Sequence, residues 1–284
     1  MKSFVRFFVT LGSLSLGAAF GNVQAAPSVG CGAALPDVLN TVEVGGQTRS
    51  FILALPDSYD ADTPHALVFA FHGRTSPADE VRSYYDLEPH IPGTLGRAIL
   101  VYPVALTQPD GTFGWWDADN APDALRDFAF FDALLGQLGE AYCIDTEHVY
   151  AVGHSLGGSF VNALGCHRAG VLRAVASLGG GPASGACQGV VAAMVLHHPD
   201  DRLVAFSYGV SARDQYLDQN GLDGPPTQTE PRGLNCERYG AAGVANPVLW
   251  CPHTQSYSYG GRYYPHNWPA ATGAAVMRFF ASLP

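Results

Sequence analysis

The sequence contains no Cys-x-x-Cys pair, and its 15 basic residues are outnumbered by 25 acidic ones. Structural zinc sites draw on such closely spaced cysteines, so zinc is not expected, and no other metal or cofactor is indicated. A net charge of −10 argues against nucleic acid or an anionic membrane as partner. Internal repeats, low-complexity linkers and a second module are also missing, and no feature indicates an obligate protein partner.

Apolar runs long enough to span a membrane are missing as well. At the N-terminus, Lys2 and Arg6 precede a short apolar run, and small residues lead to a predicted cut after Ala25. This pattern is typical of a secretory signal peptide, with a buried N-terminal helix as the alternative. We therefore predict a signal peptide over residues 1–25 and a secreted, extracellular chain with one catalytic domain over residues 26–284. Removing the two basic residues takes the net charge from −10 to −12.

All six cysteines follow the predicted signal peptide. An even number of cysteines in an exported chain favours disulfides over a metal site. Choosing the shortest loops predicts three pairs: Cys236 with Cys251, Cys166 with Cys187, and Cys31 with Cys143.

Short apolar runs alternate with helical patterns along the chain. The predicted strands are Phe51–Leu55, Ala66–Phe71, Ala98–Tyr102, Val149–Val152, Ala174–Leu178, Ala193–Leu196 and Val248–Trp250. The predicted helices are Asp127–Tyr142, Gly158–Cys166, Val204–Gln219 and Ala271–Leu283, with Asp127 placed to cap the first. This alternation predicts an α/β fold with a mostly parallel sheet covered on both faces. Functional residues of such sheets gather at the carboxyl ends of the strands.

The stretch Gly153–Gly157 reads Gly-His-Ser-Leu-Gly, centred on Ser155. In a chain with 33 glycines such a motif arises easily by chance, so its structural context must decide whether the serine is functional. Here it follows a predicted strand directly and opens a predicted helix. That turn exposes a serine hydroxyl at the top of the sheet and places the amide of Leu156 where negative charge is stabilised. The context predicts that Ser155 is a nucleophile.

A nucleophilic serine needs a base, and the base needs a carboxylate to orient it. In this fold the acid follows the serine in the chain, and the histidine comes last. Asp200 and Asp201 both follow the strand that ends at Leu196, and their position leaves the choice between them open. His197 and His198 come too early to be the base, and we interpret them as packing residues or residues that support the acid.

Two histidines lie downstream of the candidate acids. His266 lies in a loop rich in proline and aromatic residues before the last helix, where the base of this architecture belongs. His253 is then expected at the surface or at the rim of the pocket. The order of elements favours His266.

Stabilising an oxyanion needs two backbone amides. The amide of Leu156 is the first candidate. The second is the amide of Arg74, with Thr75 in reserve, in the loop after His72-Gly73 at the end of an early strand. The alternative is that His72-Gly73 forms an ordinary turn.

Several motifs resemble those of secreted feruloyl esterases and the related polyhydroxybutyrate depolymerase-like esterases. They are Cys31–Pro36, Phe71–Gly73, Gly114–Trp116, Asp127–Phe130, Gly153–Gly158, His197–Val204 and Pro265–Pro269. The resemblance implies an α/β-hydrolase fold and ester hydrolysis by a serine. Its His-x-x-x-Asp-x-x-Val pattern selects Asp201, and its His-x-Trp-Pro pattern selects His266. The chain departs from the family pattern at His198 and at Tyr264-Pro265, where glycine is usual.

Aromatic residues near the expected site suggest its substrate. Trp115, Trp116 and Trp268 are predicted to contact a phenolic acyl group or a sugar, and the alternative is that they fill the core. The favoured function is release of hydroxycinnamates from plant cell-wall polysaccharide. The alternatives are a polyhydroxybutyrate or polyester depolymerase, an acetylxylan esterase, and a carbohydrate-binding relative without activity.

Overall fold

The computed structural model describes residues 26–37, 39–115, 125–228, 234–257 and 260–284. The predicted signal peptide lies outside these ranges. Within them, no helix has both the length and the apolar character needed to cross a membrane.

The chain forms strands and helices in alternation, as predicted. The strands are β1 (Thr41–Val44), β2 (Gln47–Ala54), β3 (His65–Phe71), β4 (Ala98–Pro103), β5 (Leu106–Thr107), β6 (Phe113–Gly114), β7 (Ile144–His154), β8 (Ala174–Leu178), β9 (Ala192–Leu196), β10 (Thr227–Gln228), β11 (Glu237–Tyr239) and β12 (Val248–Cys251). The helices are α1 (Ala78–Tyr85), α2 (Arg126–Ala141), α3 (Leu156–His167), α4 (Phe206–Asn220) and α5 (Thr272–Ala281), and a 3-10 turn covers Glu88–His90.

Ten strands form one sheet in the order β1-β2-β4-β3-β7-β8-β9-β12-β11-β10, and β5 pairs with β6 separately. The pairs from β4 through β12 are parallel, whereas the pairs at both margins are antiparallel. The mostly parallel sheet of the prediction is thereby confirmed. The carboxyl ends of the central strands consequently meet along one edge.

Both faces of the sheet are buried. Along β3 the side chains alternate, so that Leu67, Phe69 and Phe71 belong to the core cluster that contains residues of α2, α3 and α4, whereas Val68 and Ala70 belong to the cluster that contains residues of α1 and α5. This two-sided burial explains the continuous apolar runs of the central strands.

Asp127 does not cap α2, contrary to the prediction. It lies within the first turn and is fully buried, with its carboxylate accepting hydrogen bonds from Arg49 at 2.8 Å and Arg126 at 2.7 Å. A carboxylate so buried needs charged partners, and the arginines supply them. The residue at the cap position is Leu125, which makes no side-chain capping bond.

The disulfide prediction is confirmed in full. The bonded pairs are Cys31–Cys143, Cys166–Cys187 and Cys236–Cys251. The first links the beginning of the described chain to the start of β7, and the third links β12 to the turn before β11. Three disulfides fit a protein that folds in an oxidising compartment.

Candidate active site

Ser155 occupies a sharp turn between β7 and α3. Its backbone has φ 58° and ψ −124°, a conformation that favours glycine over any residue with a side chain. The turn is closed so tightly that a Cβ atom at Gly157 would lie 2.2 Å from the carbonyl oxygen of Phe71. Only glycine fits there, which explains its place two residues after the serine. The local structure therefore has the form of a nucleophile elbow.

Asp201 and His266 are in direct contact. Oδ2 of Asp201 lies 2.5 Å from Nδ1 of His266, and Oδ1 accepts bonds from the amides of Leu203 at 2.9 Å and Val204 at 3.1 Å. Burial opposes ionisation of Asp201, but the hydrogen bonds from His266 and from the two amides outweigh it and lower the pKa of this carboxyl. Because an ionised Asp201 can only accept a hydrogen bond, the ring proton of His266 lies on Nδ1, and its Nε2 is left to act as base.

His197 supports the loop that holds Asp201. Its Nε2–H donates to the carbonyl oxygen of Val204 at 2.8 Å, and the same nitrogen lies 3.5 Å from Oδ2 of Asp201. Burial lowers the pKa of this fully buried imidazole. His197 thus has the supporting role that the sequence suggested, as a neutral donor.

The residue before the serine, His154, packs against the candidate base. The ring centroids of His154 and His266 lie 4.8 Å apart, and burial holds the pKa of His154 well below its ordinary value. A neutral ring in this place fixes the position of His266 without putting a second positive charge beside it. Ser155 and His266 themselves make no mutual hydrogen bond in the described chain, and such catalytic contacts are often long before substrate binds.

The loop after β3 lies against the nucleophile. A Cβ atom at Gly73 would lie 3.3 Å from the Cβ of Ser155. The amide of Ala105 donates to Nε2 of His72 at 3.0 Å, so the ring proton is on Nδ1, which lies 2.8 Å from the carbonyl oxygen of Gly73. In a trans peptide the amide of the next residue points away from that carbonyl. His72 therefore orients the Arg74 amide, the second predicted oxyanion donor.

The Leu156 amide has the position expected of the first donor. Leu156 is the first residue of α3, so its N–H has no acceptor within the helix. The positive end of the helix dipole lies at the same point.

Within the described ranges, no group of three or more histidine, cysteine or acidic residues is arranged to hold a metal ion.

Comparison with known proteins identifies relatives of this chain. No family model matches the chain. It is 31% identical over 250 residues to feruloyl esterase D of Neurospora crassa, covering 81% of each chain. It is also 31% identical over 260 residues to feruloyl esterase C of Emericella nidulans, covering 88% of this chain and 87% of the relative. The chain belongs to the feruloyl esterase family.

Solved structures agree on the fold of this esterase. An acetyl xylan esterase from Aspergillus awamori superposes with a TM-score of 0.56 at 14% identity, covering 72% of this chain and 87% of that one. A ferulic acid esterase from Anaeromyces mucronatus, solved with ferulic acid, gives a TM-score of 0.53 at 15% identity, covering 88% and 92%. The predicted α/β-hydrolase fold and the family resemblance are confirmed.

Two tryptophans of the esterase, Trp115 and Trp268, pack in the core, which is the alternative that the sequence left open. Trp115 is 4% exposed, stacks on Phe160 and donates from Nε1 to the carbonyl oxygen of His72 at 2.8 Å. Trp268 is also buried and stacks on Tyr85 with ring centroids 3.9 Å apart. Both rings are therefore buried and used in packing. Trp116 lies outside the described residues.

Two other candidates from the sequence, His253 and Asp200, lie away from the catalytic contact between Asp201 and His266. His253, expected at the surface, is fully buried beside His198, and burial lowers its pKa to about 4. Cys251, two residues earlier, is likewise fully buried and bonded to Cys236, a tertiary arrangement that hydropathy alone does not reveal. Asp200, the other candidate acid, is exposed and makes no contact with His266 in the described chain.

Sequence reasoning missed Gly179, which lies directly under the candidate base. Its φ is 59°, and a Cβ atom there would lie 3.0 Å from Cε1 of His266. The signal was present as a run of three glycines directly after a predicted strand, Gly179–Gly181. A side chain at this position would displace the imidazole from Asp201.

The strained backbone of Ser155 has a measurable cost. We expect the free energy of unfolding of Ser155→Gly to be about 1 kcal/mol higher than that of Ser155→Ala, because only glycine adopts this φ without strain. Urea denaturation of both variants gives the difference. The control is Ser159, four residues further along α3, where glycine should instead be about 1 kcal/mol less stable than alanine. Equal stabilities at position 155 would show that the turn is not strained.

Proposed function

We propose that this esterase hydrolyses esters of hydroxycinnamic acids through an acyl-enzyme on Ser155. The observation that carries the proposal is the Asp201–His266 pair, which packs against His154, the neighbour of a serine held on a nucleophile elbow. Membership of the feruloyl esterase family supports the choice of acyl group.

In the acylation half, Nε2 of His266 takes the proton of Ser155 as Oγ bonds to the ester carbonyl carbon. Asp201 stabilises the imidazolium. The amides of Leu156 and Arg74 donate to the oxyanion of the tetrahedral intermediate. His266 then returns the proton to the ester oxygen, the carbon–oxygen bond breaks, and the alcohol leaves.

In the deacylation half, a water molecule gives one proton to His266 while its oxygen attacks the acyl carbon. The second intermediate collapses, the proton passes to Oγ, and the free acid leaves with Ser155 regenerated. Every proton and bond is accounted for by these residues and water, and the cycle uses no metal or cofactor.

Export completes the proposal. The signal-like pattern over residues 1–25 and the three disulfides support an extracellular enzyme that meets plant cell-wall polysaccharide. N-terminal sequencing of the secreted protein is expected to begin at Ala26.

A comparison of substrates tests the acyl group. We expect kcat/KM for methyl ferulate to exceed that for short polyhydroxybutyrate oligomers by about tenfold or more. The reason is that an aromatic acyl group buries more apolar surface in a site shaped for a planar ring than the short aliphatic acyl group of the oligomers does. Acetylated xylan serves as the third substrate. A tenfold preference for the oligomers would replace the proposal with a polyester depolymerase, and a preference for the acetyl ester would replace it with an acetylxylan esterase.

A further inference from the structure

Two tyrosines are displayed side by side on the loop that carries the candidate base. Tyr257 and Tyr263 form an isolated antiparallel β-bridge, and the amide of Tyr264 donates to the carbonyl oxygen of Ser256 at 2.6 Å next to it. Residues directly opposite each other in an antiparallel pair project to the same face. Both side chains are exposed, by 68% for Tyr257 and 63% for Tyr263. We call these two residues the tyrosine pair.

The tyrosine pair is fixed relative to the candidate catalytic residues. The hydroxyl of Tyr263 donates to Oδ2 of Asp200 at 3.3 Å, and the side-chain amide of Asn267 donates to the carbonyl oxygen of Tyr257. Asp200 and Asn267 are the chain neighbours of Asp201 and His266. Each tyrosine is therefore tied to the residue beside the acid or the base.

The chemistry of the reaction assigns a role to each side of the site. The carbonyl oxygen of the ester must point to the amides of Leu156 and Arg74. The leaving alcohol must contact His266, which returns the proton to it. Whatever is attached to that alcohol then extends along the segment between β12 and α5, which we call the His266 loop and which carries the tyrosine pair.

We propose that the tyrosine pair binds a sugar ring of the neutral polysaccharide that bears the ester. This inference rests on the proposed function and adds the alcohol side of the substrate. Tyrosine rings offer an apolar face to the C–H face of a pyranose, and the Tyr263 hydroxyl, which donates to Asp200, can still accept a hydrogen bond from a sugar hydroxyl. A neutral chain suits the net charge of −10, which disfavours polyuronates.

Another exposed tyrosine provides a matched control. Tyr208 is 55% exposed and lies on α4, where it packs near Gly181 in the segment that follows β8. It resembles the tyrosine pair in residue type and exposure but belongs to a different segment from the His266 loop. Its removal reports what loss of any exposed tyrosine does.

The test compares an ester with a sugar on its alcohol side with an ester that has none. The substrates are a feruloylated arabinoxylan oligosaccharide and methyl ferulate. We expect the double variant Tyr257→Ala/Tyr263→Ala to lose about tenfold more in kcat/KM on the oligosaccharide than on methyl ferulate, mainly through KM. Tyr263→Phe should retain most of the oligosaccharide activity, because the ring face remains. Tyr208→Ala should change the two substrates equally.

Equal losses on both substrates in the double variant would overturn the inference, as would an equally selective loss in Tyr208→Ala. A binding measurement separates this result from the proposed function. Calorimetric titration of Ser155→Ala with an unesterified arabinoxylan oligosaccharide should show binding that the two tyrosine substitutions weaken. If methyl ferulate is not hydrolysed but this binding is seen, the acyl proposal fails and the sugar site stands. If the titration shows no binding, the sugar site fails whatever the activity.

Discussion

Ser155→Ala is expected to lower kcat for methyl ferulate by about 10⁴- to 10⁶-fold, the loss typical when a serine hydrolase loses its nucleophile. The substitution removes Oγ and keeps Cβ, so the turn between β7 and α3 retains its backbone. What remains is the acceleration that the oxyanion amides and substrate binding provide over water. Single-turnover assays with a fluorogenic ferulate ester measure the activity that remains in the variant.

Ser159→Ala is the matched control for the nucleophile. Its hydroxyl accepts a bond from the Gly181 amide at 2.9 Å and lies one helical turn further along α3. Its loss should cost far less activity. A serine-reactive phosphonate should label the wild-type chain in one-to-one ratio and leave Ser155→Ala unlabelled. Turnover in Ser155→Ala close to wild type would refute the mechanism.

Asp201→Asn is expected to lower kcat by about 10⁴-fold while the fold is retained. In the wild type, Oδ1 accepts two amide hydrogens, from Leu203 and Val204. An asparagine would keep its carbonyl oxygen at that position and present its NH₂ group to His266. Nδ1 would then have to accept a hydrogen bond, which moves the ring proton to Nε2. In that tautomer His266 cannot take the proton of Ser155.

The neighbouring Asp200→Asn is the control for Asp201. It changes the same residue type one position away, at an exposed carboxylate that does not contact the base. Its effect on methyl ferulate should be smaller by orders of magnitude. Circular dichroism and the free energy of unfolding check that Asp201→Asn remains folded. Similar losses in both variants would mean that Asp201 is not the residue that orients His266.

The central strands could be predicted because their burial on both faces is written as unbroken apolar runs. β8 was predicted with its observed bounds, and β3 and β9 to within one residue. β1 escaped notice because it is an exposed edge strand with only Val42 buried. α1 escaped because it is only eight residues long, begins after Pro77 and buries just three residues, Ala78, Val81 and Tyr85.

The placement of catalytic candidates was predictable for a different reason. Chain order and the position of loops after strands depend on topology, which the alternation of elements indicates. The roles of Trp115, Trp268 and His253 depend on which neighbours fill the space around them. Tyr85 and Phe160, which cover the two tryptophans, are far away in the chain. Hydropathy and motif spacing contain no information about such contacts.

The positive φ of Ser155 means that the residue needed for activity also lowers the stability of the esterase. A selection that rewards only survival at high temperature would favour glycine at position 155 and so discard the nucleophile. Directed evolution of this protein for industrial use therefore needs an activity screen in every round. Stabilising changes are better sought at the margins of the sheet, on β1 and β10, far from the turn that exposes the serine.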